Sequence, residues 1–181
     1  MRSAQQGDRE AFARLVERYW TRLYRWLFHL THNRHLAEDL AQEAFLKALA
    51  NLDRFRPGTN FRAWLFRIAH NVFANLQRSP SRRRETLPDF LPARDPGPFD
   101  QACNQETLLS LSKALDLLPT DYRAALLLRA EEGLSFRQIA GILKTTEETA
   151  RWRVFKARQR LLETIESTEE SVAEIPPGTQ P

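Results

Sequence analysis

The chain has 181 residues, of which 42% are hydrophobic and 10% aromatic, so it can bury one medium core or two small ones. Its only cysteine, Cys103, excludes an intramolecular disulfide, and no apolar run reaches the ~18–20 residues that a membrane span needs. A net charge of +4 permits an anionic partner without requiring one. With few glycines, no alternating strand-like runs and no signal-peptide stretch, the composition predicts an all-α protein in the cytoplasm, without membrane insertion.

Residues 1–78 contain three amphipathic helical patterns, which we predict to form the first small domain. The first pattern has apolar residues at alternating spacings of four and three, namely Phe12, Val16, Tyr19, Leu23, Trp26 and Leu30. After a break at Asn33 and Arg34, the second pattern has Leu36, Leu40, Ala44 and Ala48 on one side. A turn over Arg56–Asn60 precedes the third pattern, whose inward residues are Trp64, Leu65, Ile68, Val72 and Leu76.

Proline is concentrated in the middle of the chain. Five of the ten prolines lie between residues 80 and 98, beside the arginine run Arg82–Arg84. Because proline interrupts both helices and central strands, we predict a linker over residues 79–103 between two helical domains. The second domain spans residues 104–163. It is followed by an acidic tail, residues 164–181, for which we predict disorder.

The second domain carries the pattern of a helix-turn-helix. Pro119 marks a helix start, Gly133 suits the left-handed position that ends that helix, and capping-box spacing occurs at Ser135/Gln138 and Thr145/Glu148. Only residues 144–146 separate the last two helical patterns. A short bracing helix followed closely by a basic helix is typical of proteins that place the second helix in the major groove of DNA.

The last helix has two different sides. Ala150, Val154, Ala157 and Leu161 form a stripe that should pack on the bracing helix, while the opposite side presents Glu148, Arg151, Trp152, Phe155, Lys156 and Gln159. Basic side chains can reach bases or phosphates, and aromatic ones can contact a thymine methyl group. The alternative is a solvated basic helix with both aromatics in core contacts. DNA binding explains the combination better.

Two further polar faces lie in the first domain. The third helix repeats Arg67, Asn71, Asn75 and Arg78, with the aromatics Trp64, Phe66 and Phe73 nearby, a combination that suits unpaired bases and phosphates. The second helix has an acidic face that should avoid DNA and suits a protein surface: Glu38, Asp39, Gln42 and Glu43, with Phe45 adjacent. From pattern alone, each face is more often a solvated helix surface than a binding surface.

Nothing in the sequence indicates catalysis. His29, His32, His35 and Glu38 stand three apart, but the predicted helix break at Asn33 separates them and no cysteine ligand is near. Phosphate-loop, nucleophile-elbow and zinc-helix motifs are missing. We therefore expect no enzymatic activity, no catalytic residue, no metal and no cofactor.

Taken together, the two domains resemble the extracytoplasmic-function (ECF) group of bacterial RNA polymerase sigma factors, over roughly Gly7 to Glu163. The segments that carry the resemblance are GDREAFARLVERY, HLAEDLAQEAFLKAL, FRAWLFRIAHNVFANLQR, EGLSFRQIAGIL and FKARQRL, in that order. In this group, regions 2 and 4 of the sigma-70 family are joined directly by a linker. The resemblance implies a monomer when free, whose partners are core RNA polymerase, promoter DNA and an anti-sigma factor.

The resemblance also assigns residues to three surfaces. Those implied to dock on the clamp helices of the large polymerase subunit are Glu38, Asp39, Gln42, Glu43 and Phe45. Those implied to contact the −10 element are Arg56, Asn60, Arg67, Asn71, Asn75 and Arg78. Those implied to contact the −35 element are Thr146, Glu147, Glu148, Thr149, Arg151, Trp152, Arg153, Phe155 and Lys156.

The chain departs from the usual pattern of the group at several of these positions. Lys144 stands at a turn position where the group generally has glycine, and Trp152 stands where a small residue is usual. The promoter sequence therefore cannot be carried over from relatives. Two other functions remain open on the residues alone: a stand-alone helix-turn-helix regulator and a sigma-like adaptor that binds only proteins.

Overall fold

The computed structural model describes residues 2–78 and 105–173, with side chains for residues 3–78 and 111–165. Within these ranges every regular element is a helix, which confirms the all-α prediction. The predicted linker, residues 79–103, and the end of the tail, residues 174–181, lie outside the described residues. The helices are α1 Arg2–Gln5, α2 Arg9–Thr31, α3 Arg34–Ala50, a 3-10 turn Leu52–Arg54, α4 Phe61–Arg78, α5 Gln105–Asp116, α6 Thr120–Ala130, α7 Phe136–Leu143 and α8 Glu147–Ala173.

Short polar side chains begin the helices of the first domain. Asp8 accepts from the Ala11 N–H at 3.0 Å to cap α2, and Asn33 accepts from the Leu36 N–H at 2.9 Å to cap α3. Each cap satisfies a backbone donor that the first helical turn leaves unpaired. Helices α2, α3 and α4 then pack on one another around Leu23, Trp26 and Leu65, all of which are buried.

The helix-turn-helix forms between α7 and α8. Ser135 and Gln138 make the predicted capping box, and Gly133 has the predicted positive φ, +60°. The second predicted cap is wrong by one residue: Thr146, not Thr145, accepts from the Thr149 N–H at 3.1 Å. Thr145 instead donates its N–H to the Ala140 carbonyl at 3.0 Å, so it closes the end of α7 and is not free to begin α8.

Helix α8 is longer than the sequence pattern predicts. Residues 164–173, for which disorder is predicted, continue α8 as far as Ala173. Glutamate and alanine have good helix propensity, and neither glycine nor proline interrupts the chain before Pro176. The acidic composition of the segment therefore did not imply disorder.

The two domains also pack against each other. Helix α7 lies against α4, and α6 lies against α2; we call this the closed arrangement. The buried indole of Trp26 donates its Nε1–H to the Ala124 carbonyl of α6 at 3.4 Å. The cores of the two domains consequently meet in one hydrophobic cluster.

The turn at Lys144 stores strain. Lys144 has a φ of +53°, a left-handed conformation that costs an L-residue about 1–2 kcal/mol. Since glycine adopts it without a Cβ clash, Lys144→Gly should raise the free energy of unfolding by about 1 kcal/mol, measured by urea denaturation. Lys144→Ala, which removes the charge but keeps the Cβ, should give no such gain, and equal stabilisation by both variants would contradict this explanation.

Candidate functional site

The acidic face of α3 is exposed as predicted, with one exception. Glu38, Asp39 and Gln42 are exposed, and Glu43 pairs with Lys47 at 2.7 Å. Phe45, however, is only 5% exposed and stacks on Trp20 with ring centroids 5.9 Å apart. Phe45 therefore supports α3 from inside the core, and its contact with a partner stays a prediction.

Two exposed leucines within the acidic face were not predicted from the sequence. Leu46 is 67% exposed and Leu49 is 49% exposed. Leu46 lies seven residues after Asp39, and Leu49 lies seven residues after Gln42. Leu46 also lies four residues after Gln42 and three after Glu43. All five residues therefore share one side of α3. This periodicity could have identified them. An acidic face with two exposed leucines in its middle is typical of a protein-docking surface.

The polar stripe of α4 is partly covered. Arg67, Asn75 and Arg78 are exposed, but Asn71 is half-buried and its Oδ1 has no hydrogen-bond partner among the described residues. Ala63, Trp64 and Arg67 line a groove against α7, and Asn71 continues that side of the helix at four residues from Arg67. In the closed arrangement, α4 therefore turns part of its polar stripe towards α7.

The aromatic residues of α4 have different positions from those predicted. Phe66 is 0% exposed and Phe73 is 6% exposed, so neither can stack on a base. Trp64 is half-buried and lies 5.3 Å from Phe55 and 5.6 Å from Phe61, measured between ring centroids. Trp64 is thus the one of the three whose ring partly reaches the surface.

The loop before α4 presents the other two residues predicted for −10 contacts. Arg56 and Asn60 are exposed, and Asn60 also caps α4 by accepting from the Ala63 N–H at 3.2 Å. Thr59 donates its hydroxyl to the Arg56 carbonyl at 2.7 Å, and Gly58 has a φ of +89°. The loop is therefore a tight turn that holds its polar side chains outward.

The exposed side of α8 matches the prediction closely. Glu147, Glu148 and Arg151 are exposed, as are Trp152 at 50% and Phe155 at 61%. Ala150, Val154 and Ala157 are buried on the opposite side. Exposed aromatic rings of this size are unusual on a free surface and indicate a partner.

Several side chains at the start of α8 are oriented by neighbours. The Arg151 guanidinium lies 3.5 Å from Glu147 and 5.0 Å above the Phe136 ring of α7. Lys156 donates to Gln159 at 2.9 Å. Trp152 packs edge-on against Tyr122 with centroids 5.6 Å apart. The face is therefore held in position before any ligand arrives.

Arg153 does not lie on this face. Its guanidinium is 2.7 Å from Asp121 of α6, and the side chain is only 20% exposed. Thr146 and Thr149 are also engaged, since their hydroxyls are 2.8 Å apart at the helix cap. A helix of about 3.6 residues per turn rotates Arg153 towards α6, so its contact with DNA stays a prediction.

A buried ion cluster connects the two domains. Glu132 is 3% exposed, and its Oε2 lies 3.6 Å from Arg22 of α2 and 3.6 Å from Arg62 of α4. Burial raises the pKa of Glu132, whereas the two arginines act in the opposite direction. Separating the domains would remove both cations from Glu132 but also return its carboxylate to water. Because burial outweighs the two arginines, the cluster fixes how the domains meet without adding stability to the closed arrangement.

The histidines do not form a metal site. Among the described residues no group of three potential ligands could hold a metal, and no described helix is long and apolar enough to cross a membrane. Burial, followed by Arg25, Arg123 and His32, lowers the pKa of His29 to about 4. His29 is therefore a neutral core histidine at pH 7.

The depressed pKa of His29 predicts a loss of stability in acid. The unfolded chain protonates His29 near its ordinary pKa of 6.5, but the folded chain resists protonation until about pH 4. The stabilisation present above pH 6.5 is therefore lost as the pH falls towards 4, amounting to about 2 kcal/mol by pH 5. Between pH 7 and pH 5, the free energy of unfolding of His29→Gln should fall by about 2 kcal/mol less than that of the unmodified protein, as measured by urea titration. An identical pH dependence would contradict this result.

Known proteins resemble the chain across both domains. Residues 15–84 match sigma-70 region 2, and residues 108–161 match sigma-70 region 4. The RNA polymerase sigma-H factor of Pseudomonas aeruginosa is 32% identical over 170 residues, which cover 87% of each chain. The ECF RNA polymerase sigma factor SigE of Mycolicibacterium smegmatis is 38% identical over 162 residues, covering 86% of this chain but only 63% of that protein.

Solved structures show the same similarity. The sigma factor RpoE of Bartonella quintana, in complex with the anti-sigma factor NepR, has a TM-score of 0.71 and 30% identity, covering 87% of this chain and 98% of that one. CnrH, in complex with the cytosolic domain of CnrY, has a TM-score of 0.66 and 26% identity, covering 91% of this chain and 94% of that one. The protein belongs to the ECF group of RNA polymerase sigma factors.

Proposed function

We propose that the protein binds core RNA polymerase and directs transcription initiation at promoters through −10 and −35 contacts. The observation that supports this best is the opposite character of two exposed surfaces on one chain. Helix α3 exposes leucines together with carboxylates that DNA phosphates would repel. Helix α8 instead exposes aromatic and basic side chains that suit a DNA groove. A protein that only reads DNA would have no use for the first surface.

The docking surface on polymerase comprises Glu38, Asp39, Gln42 and Glu43 together with Leu46 and Leu49. We propose that it binds the clamp helices of the large polymerase subunit. The carboxylates would orient the protein on polymerase and speed its association, and the leucines would contribute buried apolar area. Phe45 would act indirectly, by supporting α3 against Trp20.

The −10 surface comprises Arg56, Asn60, Arg67, Asn71, Asn75 and Arg78. Arginines can hold phosphates while asparagine amides donate to and accept from exposed base edges. Because Asn71 is half-buried in the closed arrangement, α7 would have to leave α4 before the whole stripe could contact DNA. Polymerase binding, which would hold the two domains apart, is the natural source of that free energy.

The −35 surface lies on the exposed side of α8. We propose that Glu147, Glu148, Arg151, Trp152, Phe155 and Lys156 enter a major groove, and their position on this side supports it. Thr146 and Thr149 stand at the helix N-terminus, where backbone N–H groups favour a phosphate. Arg153, held by Asp121, would stabilise the domain rather than read bases.

The remaining parts of the proposal follow from the family. The protein would act in the cytoplasm as a monomer when free, would catalyse no covalent step and would use no cofactor. Since two similar structures contain an anti-sigma factor or the cytosolic domain of a partner, we propose an anti-sigma partner for this chain too.

One experiment tests the central proposal. The protein is incubated with purified core polymerase and a genomic promoter library, and the transcripts are sequenced. We expect initiation at a defined promoter set that core polymerase alone does not use. A mobility shift of duplex operator DNA by the protein alone, without any gain in initiation, would instead support a stand-alone regulator. Core binding without specific initiation would support an adaptor.

A further inference from the structure

A groove between the two domains is lined by four arginines. It has a volume of about 500 Å³ and lies between the start of α4, the loop before it and α7. Arg54, Arg56 and Arg67 come from the first domain, and Arg137 comes from α7 of the second. None of the residues that line the groove is acidic.

These arginines differ from two others in the chain in lacking counter-charges. None of the four guanidiniums lies within ion-pair distance of a carboxylate in the described parts of the chain, and all four residues are exposed. By contrast, Arg62 pairs with Glu132 and Arg153 pairs with Asp121. Four like charges facing one space repel one another, and an anion between them would relieve that repulsion.

The chemistry of the lining indicates which anion fits. Guanidinium groups bind phosphate through paired hydrogen bonds, and several together suit a ligand with more than one phosphate. The volume falls within the about 300–1,000 Å³ typical of small-molecule sites. Trp64 also lines the groove and is half-buried, so its indole offers a flat apolar surface beside the phosphate positions.

We propose that this groove binds a small polyphosphate-bearing anion, either inorganic polyphosphate or a nucleotide. The ligand contacts both domains, so it binds the closed arrangement more tightly than an open one and shifts the population towards closure. It also occupies Arg56, Asn60 and Arg67, which are needed for the −10 element. This regulatory consequence, unlike the binding itself, rests on the proposed function.

Gly141 provides a matched pair of variants for the test. It lies on α7 in the groove lining, and a Cβ added there meets nothing within 4 Å. Gly141→Glu therefore adds a carboxylate at the groove lining with no clash at its Cβ, whereas Gly141→Ala adds only a methyl group. Arg137→Ala removes one of the four guanidiniums, and Arg158→Ala removes an exposed arginine of α8 that is not part of the groove.

Binding is measured by isothermal titration calorimetry on the full chain, with sodium tripolyphosphate and with ATP as separate probes at up to about 1 mM. We expect Gly141→Glu and Arg137→Ala to weaken binding of both probes about tenfold or more, and Gly141→Ala and Arg158→Ala to leave it unchanged. Tighter binding of ATP than of tripolyphosphate identifies a nucleotide site with the base at Trp64; equal binding identifies a phosphate site.

Two results would overturn the proposal. The first is that neither probe binds the unmodified chain. The second is that Arg158→Ala weakens binding as much as Arg137→Ala, which would indicate diffuse charge attraction. Binding of the chain to core polymerase is measured separately in nucleotide-free buffer. A negative result for anion binding at the groove can therefore be distinguished from a negative result for the proposed sigma function.

Discussion

Reversal of Asp39 and Glu43 together to arginine should weaken binding to core RNA polymerase by about 100-fold or more, because like charges across a protein interface cost several kcal/mol. Both residues lie on the exposed acidic face of α3, on the same side of the helix as Leu46. The fold should tolerate the change: the lost Glu43–Lys47 pair is at the surface, and a like-charge pair at that spacing costs about 0.2–0.5 kcal/mol. Binding is measured by fluorescence anisotropy, and helicity by circular dichroism.

A matched control separates docking from general electrostatics. Glu10→Arg plus Glu17→Arg changes the net charge by the same amount at two exposed positions of α2. This variant should bind polymerase nearly as well as the unmodified protein. If both double variants lost affinity equally, the acidic face of α3 would not be the docking surface. Leu46→Ala offers a third comparison, since it should weaken binding with no change in charge.

Trp26→Ala should lower the free energy of unfolding by about 3–5 kcal/mol, as expected when a large buried aromatic residue is truncated. Trp26 is 1% exposed, and its ring packs edge-on against Phe66 of α4 with centroids 5.3 Å apart. Its indole N–H also reaches the Ala124 carbonyl of α6. The substitution therefore removes packing within the first domain and the hydrogen bond to the second at once. Urea denaturation followed by circular dichroism measures the change.

Trp152→Ala is the natural control for that variant. Trp152 is 50% exposed and has one edge contact with Tyr122, so its loss should cost about 1 kcal/mol. Trp26→Phe keeps most of the packing but removes the indole donor, and it should fall between the two. If Trp26→Ala were no more destabilising than Trp152→Ala, the junction between the two cores would not contribute to stability as the structure indicates.

Local features of the fold could be predicted from the sequence because their causes are local. The helix break at Asn33, the capping box at Ser135 and the left-handed Gly133 each depend on a few neighbouring residues and were predicted correctly. The cap of α8 lies one residue after the predicted position because Thr145 already closes α7. Helical periodicity likewise placed Trp152 and Phe155 on the exposed side of α8.

Which side chains remain available for a partner was less predictable. Phe45, Phe66 and Phe73 are close in sequence to polar residues, yet all three are buried, because packing of α3 and α4 rather than composition decides burial. The same packing leaves Leu46 and Leu49 exposed on α3. Periodicity gives the angle between two residues on one helix, but it does not say which angle faces the core.

By itself, the sequence determined the main helical segments, the capping box of α7, the helix-turn-helix and the chemical character of each face. Only the tertiary structure decided the contacts that are distant in sequence. Between the domains, Glu132 lies between Arg22 and Arg62, and Arg137 lies across a groove from Arg67; within the second domain, Arg153 pairs with Asp121. The physical reason is range. Caps and periodicity act over three or four residues, whereas these contacts join residues 32 to 110 positions apart, and only the packed chain brings them together.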